Sequence, residues 1–94
     1  EAAFRQEVWL ACLLLPSGLW LGQNAVERAL LVGSVIILLI VELLNTGIEV
    51  VVDRIGVERH PLSGFAKDVG SAAVFFGLVL LFSTWALILW DRLS

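Results

Sequence analysis

The chain has 94 residues, of which 60% are hydrophobic and 16% charged, and its formal net charge is −3. A single soluble core of this size cannot hide three long apolar runs, so the composition points to a membrane protein rather than a water-soluble domain. The absence of a basic patch argues against nucleic acid as a partner, and the lone Cys12 can form no disulfide within the chain.

The first apolar run extends from Val8 to Gly22 and contains Pro16. It reaches spanning length only if Ala2, Ala3 and Phe4 extend the same helix, which predicts a span over about 2–22. The acidic Glu1 and Glu7, and the lack of a small-residue cleavage pattern after the run, argue against a signal peptide. The start at Glu1 and the absence of Met lead us to expect that a segment precedes this one. Cys12 reads as apolar filler within the span.

Asn24-Ala25-Val26-Glu27 has the form of a capping box and predicts the start of a second helix. The apolar run that follows, 29–52, is long enough for a hydrocarbon core of roughly 30 Å. It nevertheless carries Glu42, Asn45 and Glu49, with Asp53 just beyond. At roughly 100° per residue these four side chains fall within about 80° of one another and make one polar stripe. An ionisable group at membrane depth costs about 2.5–3.5 kcal/mol on insertion scales and by default marks a working site.

Gly56 is placed to end the second helix and Pro61 to open the third, leaving a short charged loop. Val69 to Trp90 carries no formal charge and predicts a third span over 69–90. Gly64, Lys67, Asp68 and Ser71 share a face at its start, beside the small residues Gly70, Ala72 and Ala73. Small residues permit close helix packing, with Lys67 snorkelling to the headgroups. A lysine near a stripe of carboxylates also suits an anion that the carboxylates hold through a metal. The expected fold is thus an all-α membrane protein, a bundle of three transmembrane helices forming one domain over 1–94.

Arg5, Arg54, Arg59 and Lys67 lie on one side of such a bundle and Arg28 and Arg92 on the other, which places the N-terminus and the second loop in the cytoplasm. Trp20 and Trp90 then form an outer aromatic belt, with Trp9 and Trp85 further in as anchors.

Clustered carboxylates repel and need protons or a cation to coexist. Mg²⁺ prefers oxygen ligands and typically combines one or two carboxylates with substrate phosphates. A metal-bound nucleoside triphosphate would satisfy Glu49 and Asp53 through the ion and Lys67 through its phosphates. Glu42, about 10 Å deeper along the helix, is left for another task. A carboxylate held away from water suits general-base work on a hydroxyl at the membrane boundary, with Asn45 placed to orient the hydroxyl or Glu42 itself.

The stretches Glu1-Ala2-Ala3-Phe4-Arg5-Gln6-Glu7, Val41-Glu42-Leu43-Leu44-Asn45-Thr46-Gly47-Ile48-Glu49, Val51-Val52-Asp53-Arg54-Ile55-Gly56 and Ala66-Lys67-Asp68-Val69-Gly70-Ser71-Ala72-Ala73-Val74 closely resemble the small integral-membrane diacylglycerol kinases of bacteria. No Gly-x-x-x-x-Gly-Lys-Ser/Thr loop is present. The resemblance implies phosphoryl transfer from MgATP to diacylglycerol, giving phosphatidic acid at the cytoplasmic face of the bacterial inner membrane. It also implies a homotrimer whose active sites are shared between neighbours.

Carried over by position, Glu42 would be the general base and Asn45 its helper, with Glu1 and Glu49 the metal carboxylates. The nucleotide would meet Glu1, Glu49, Asp53, Glu58, Arg59, His60, Lys67 and Asp68, and the lipid Phe4, Glu7, Glu42 and Ser71. Two departures stand out: the amphipathic surface helix expected before the first motif is not among these 94 residues, and Arg59 stands where an aromatic residue is common. His60 can equally cap the next helix, and Arg5 with Glu7 can form a simple interfacial pair.

Three other readings remain open. A related branch phosphorylates undecaprenol, which also offers a terminal hydroxyl; the stretches flanking the motifs lean towards diacylglycerol. An oligomeric ion or proton carrier could line its path with Glu42 and Glu49. A structural membrane subunit would leave the stripe unexplained.

Overall fold

A computed structural model describes residues 2–55 and 61–93, with side chains from Arg5 onward. They form three helices, α1 (Ala2–Leu21), α2 (Ala25–Ile55) and α3 (Pro61–Leu93), and no strand is present among the described residues. α2 is central and antiparallel to both neighbours, with α1 and α3 each packed along it. The bundle measures 53 × 21 × 17 Å.

The expected capping box is formed. Glu27 N–H donates to Asn24 Oδ1 at 2.8 Å, and Gln23 N–H donates to Glu27 Oε1 at 3.0 Å. The returning carboxylate thus takes the N–H one residue before the cap, which the tight turn after α1 presents to it. Gly22 makes that turn possible. Its N–H closes the last turn of α1 on Gly18 O at 3.1 Å, its carbonyl accepts from Arg28 Nε at 3.1 Å, and a Cβ there would run into Arg28, whose backbone N would be only 2.8 Å away. Pro61 opens α3 as expected, where its missing N–H costs nothing. The expected end at Gly56 lies outside the described residues, and α2 is helical up to Ile55.

α2 and α3 have 31 and 33 residues and are each long and apolar enough to cross a membrane. At about 1.5 Å per residue they outrun a hydrocarbon core of roughly 30 Å, so their polar ends reach the headgroups. α1 has 20 residues with Pro16 inside. Proline removes the N–H that Cys12 O would accept, and one residue on Ser17 Oγ donates to Leu13 O at 2.7 Å.

The core is thin. Leu31, Val35, Ala11 and Leu81 are buried, with Leu14, Leu15, Leu38, Leu39 and Trp85 packed around them. Gly18 lets α1 approach α2, since a Cβ there would stand 3.2 Å from Leu31 Cβ. Trp85 does more than anchor: its Nε1 donates to the buried Ser34 Oγ at 3.2 Å, while Ser34 Oγ donates to Leu31 O at 2.8 Å. At the same end of the bundle Arg92 Nη1 donates to Leu21 O, tying α3 to α1. Trp9, Trp20, Phe76 and Leu87 are largely exposed, as is Cys12. Apolar surface on this scale requires lipid or further protein around it, and the chain is a membrane protein.

Candidate active site

The polar stripe of α2 has three levels. At the deepest, Glu42 borders a pocket of about 340 Å³ between the three helices. Glu7 reaches the same pocket from α1, and Leu10, Leu14, Leu38, Leu39, Leu78 and Phe82 supply most of the remaining wall. Because α1 and α2 are antiparallel, Glu7 and Glu42 stand together at one rim. The aliphatic wall continues from them towards the other end of the bundle. Both carboxylates are half-buried.

At the middle level Asn45 Nδ2 donates to Glu49 Oε1 at 3.2 Å, one helical turn apart. The nitrogen of the amide is the end that faces the Glu49 acceptor. Asn45 Oδ1 is therefore turned inward, buried and without a conventional donor. It lies against Gly70 of α3, where a Cβ would collide with it. The second oxygen of Glu49 makes no hydrogen bond among the described residues.

At the outermost level Lys67 Nζ donates to Asp53 Oδ1 at 2.7 Å, joining the end of α2 to the start of α3. The side chains are 43% and 67% exposed, so the pair is accessible to a competing anion. Lys67 precedes the apolar run that begins at Val69. The hydrogen bond from Lys67 to Asp53, followed by the charge of Asp53, holds its ammonium above the ordinary lysine range.

The expected polar face of α3 is only partly engaged. Lys67 is paired, whereas Asp68 and Ser71 are exposed with no polar partner among the described residues. Gly64 is also exposed, with open space around it. Glu1, Glu58, Arg59 and His60 lie outside the described residues, as does the side chain of Phe4. No group of three or more His, Cys, Asp or Glu residues comes together among the described residues to cage a metal unaided. Sequence reasoning missed the role of Gly70 opposite Asn45, for which a glycine in a small-residue patch was the only signal.

These features define an all-helical membrane protein whose row of carboxylate and amide groups runs from an apolar pocket to an accessible ammonium. The chain matches the prokaryotic diacylglycerol kinase family over residues 1–89, and it belongs to that family. It is 51% identical over 92 residues to the diacylglycerol kinase of Escherichia coli (strain K12), a match covering 98% of this chain and 75% of that protein. The diacylglycerol kinase of Pseudomonas aeruginosa is 53% identical over 89 residues, covering 95% of this chain and 72% of its own. That of Helicobacter pylori (strain 26695) is 44% identical over 94 residues, covering 98% and 68%.

Proposed function

We propose that this chain is a diacylglycerol kinase that transfers the γ-phosphoryl group of ATP to the primary hydroxyl of diacylglycerol, giving phosphatidic acid. One observation carries the reading: a single helix face joins the pocket rim at Glu42, the Asn45–Glu49 pair and the Asp53–Lys67 pair. A lipid tail in the aliphatic pocket would leave its hydroxyl beside Glu42. Phosphates would belong at the accessible charged end.

The residues fit Mg²⁺ delivered with a nucleotide. Glu49 is half-buried and has one oxygen held by Asn45 and one available, while a magnesium ion usually takes one or two carboxylates and completes its shell with phosphates and water. Glu49 would hold the ion, with Glu1 as the second carboxylate that family membership suggests; when bound it neutralises phosphate charge. Glu42 accepts the proton of the lipid hydroxyl as that oxygen bonds to the γ-phosphorus. The bond from phosphorus to the bridging oxygen breaks, and ADP leaves with the electron pair. Lys67 turns from Asp53 to the phosphates, and Asp53 remains beside it. Asn45 keeps Glu49 in place, and Glu7 closes the lipid side of the rim; family membership suggests Phe4 as a further lipid contact.

Asp68 and Ser71 point out of the subunit, so they meet substrate only where a neighbour is packed against α3. This supports an oligomer with shared sites; family membership suggests a homotrimer, in which Asp68, Glu58, Arg59 and His60 would complete the nucleotide side and Ser71 the lipid side. In this arrangement α1 is the third span, and the N-terminus and second loop face the cytoplasm of the inner membrane.

Reconstituted protein supplied with γ-labelled ATP and Mg²⁺ is expected to label diacylglycerol, and Glu42→Gln to lose about 100-fold or more in turnover while remaining folded and oligomeric. Ion flux independent of nucleotide, with no labelled lipid, would overturn the assignment. Preferential labelling of undecaprenol in a parallel assay would move the chain to that lipid.

A further inference from the structure

We propose that Gly70 is a positioning residue for phosphoryl transfer: the bare Cα of α3 seats the carboxamide of Asn45 and, through it, fixes the carboxylate of Glu49. The inference rests on the reading of Glu42, Asn45 and Glu49 as the reaction site. Its geometry stands independently of that reading.

Gly70 is buried at the α2–α3 contact. A Cβ built on it would stand 3.2 Å from Asn45 Cγ and nearer still to Oδ1, with the rest of the space filled by the same side chain. The hydrogen occupying that direction points at Oδ1, and a Cα–H···O contact is what this buried oxygen has in place of an N–H or O–H donor. The other end of the same planar amide is committed to Glu49 Oε1 at 3.2 Å. The carboxamide is therefore held from both sides, by α3 at its oxygen and by Glu49 at its nitrogen.

Gly77 provides the contrast. It is buried on the same face of α3, two helical turns away, but a Cβ there would meet Leu38 Cδ1 at 3.1 Å, an aliphatic group with no polar commitments. A methyl group at position 77 displaces apolar packing alone. At position 70 it displaces the end of a side chain that can rotate, so the backbone need not move. The carboxamide turns, and its N–H leaves Glu49. The consequence falls on the alignment of the site rather than on the fold, and misplacement by about 1 Å can cost on the order of 100-fold in rate.

A double-mutant cycle on the reconstituted protein tests this. Gly70→Ala is expected to lower kcat by about 10- to 100-fold with the KM for diacylglycerol changed less than about two-fold. In an Asn45→Ala background, where the methyl group has the space of the lost carboxamide, the same substitution is expected to cost less than about two-fold more. Gly33→Ala, at a position with open space around it, should keep wild-type kcat. Independently of turnover, the side-chain amide resonance of Asn45 in ¹⁵N-labelled protein without nucleotide should shift in Gly70→Ala and stay put in Gly77→Ala.

Losses that multiply in the double variant, an undiminished Gly70→Ala, or an unmoved Asn45 resonance would each overturn the role of Gly70 while leaving the kinase reading intact. Wild-type protein that labels no lipid would overturn the kinase reading itself, and the resonance would then report the seating of Asn45 alone. Should Gly70→Ala fold poorly, folding restored by Asn45→Ala supports the proposal, and persistent misfolding there refutes it.

Discussion

At the scale of single residues, the site depends on which polar groups are already occupied. Asp53 holds Lys67 at 2.7 Å, so in the proposed reaction the phosphates would have to compete for the ammonium. Because the pair is exposed, it contributes little to the fold. Asp53→Asn is expected to leave the unfolding midpoint unchanged and to alter the KM for ATP, which titrations of initial rate against nucleotide will measure. The raised Lys67 value fixes the pH sign. On the lysine side, stabilisation from the pair is in full force below the ordinary lysine range and is lost as pH rises through the folded-state value above it. The Lys67 charge therefore stays constant through neutral pH.

The same scale shows what could be read from residue order. Glu42, Asn45, Glu49 and Asp53 were legible as one stripe because helix periodicity is geometric and charge in lipid is conspicuous. That Lys67 closes on Asp53 and Asn45 on Glu49 was not, since a pairing depends on the register between α2 and α3. Gly70 was hidden for a further reason: a residue without a side chain displays its function only through what approaches it.

At the scale of elements, the capping box and the Gly22 turn set where α2 begins and so the register of the whole stripe. Asn24→Ala removes the acceptor for Glu27 N–H and is expected to cost about 1 kcal/mol, measurable by reversible unfolding in mixed micelles. Sequence placed this boundary well because a cap is a local chemical signal. The spans expected at 29–52 and 69–90 are the apolar middles of helices that run from Ala25 to Ile55 and from Pro61 to Leu93. Hydropathy locates the lipid, whereas helix ends follow hydrogen bonding. Trp85, expected to be an anchor, joins α3 to α2 through Ser34. Trp85→Phe keeps the ring volume largely intact but leaves that hydroxyl without its donor, and unfolding should show a loss of about 0.6–1.7 kcal/mol.

At the scale of the molecule, two long helices and a shorter one make a bundle with few buried side chains and a broadly apolar exterior. Hydrophobic burial within one chain is too scant to hold it together in water, so the solvent is part of the structure. Bilayer replaces water around Trp9, Phe76 and Leu87, and the polar contacts between helices gain in relative importance. This explains why composition and the lengths of the apolar runs together point to a membrane protein.

α1 and α3 both lie against α2, and the pocket bordered by Glu7 and Glu42 occupies the cleft between them. A molecule drifting in the plane of the bilayer can slip into that cleft sideways without ever entering water. Velocity should then follow how crowded the acceptor is among its neighbouring lipids, so adding inert phospholipid at constant total acceptor should slow the reaction by dilution in two dimensions.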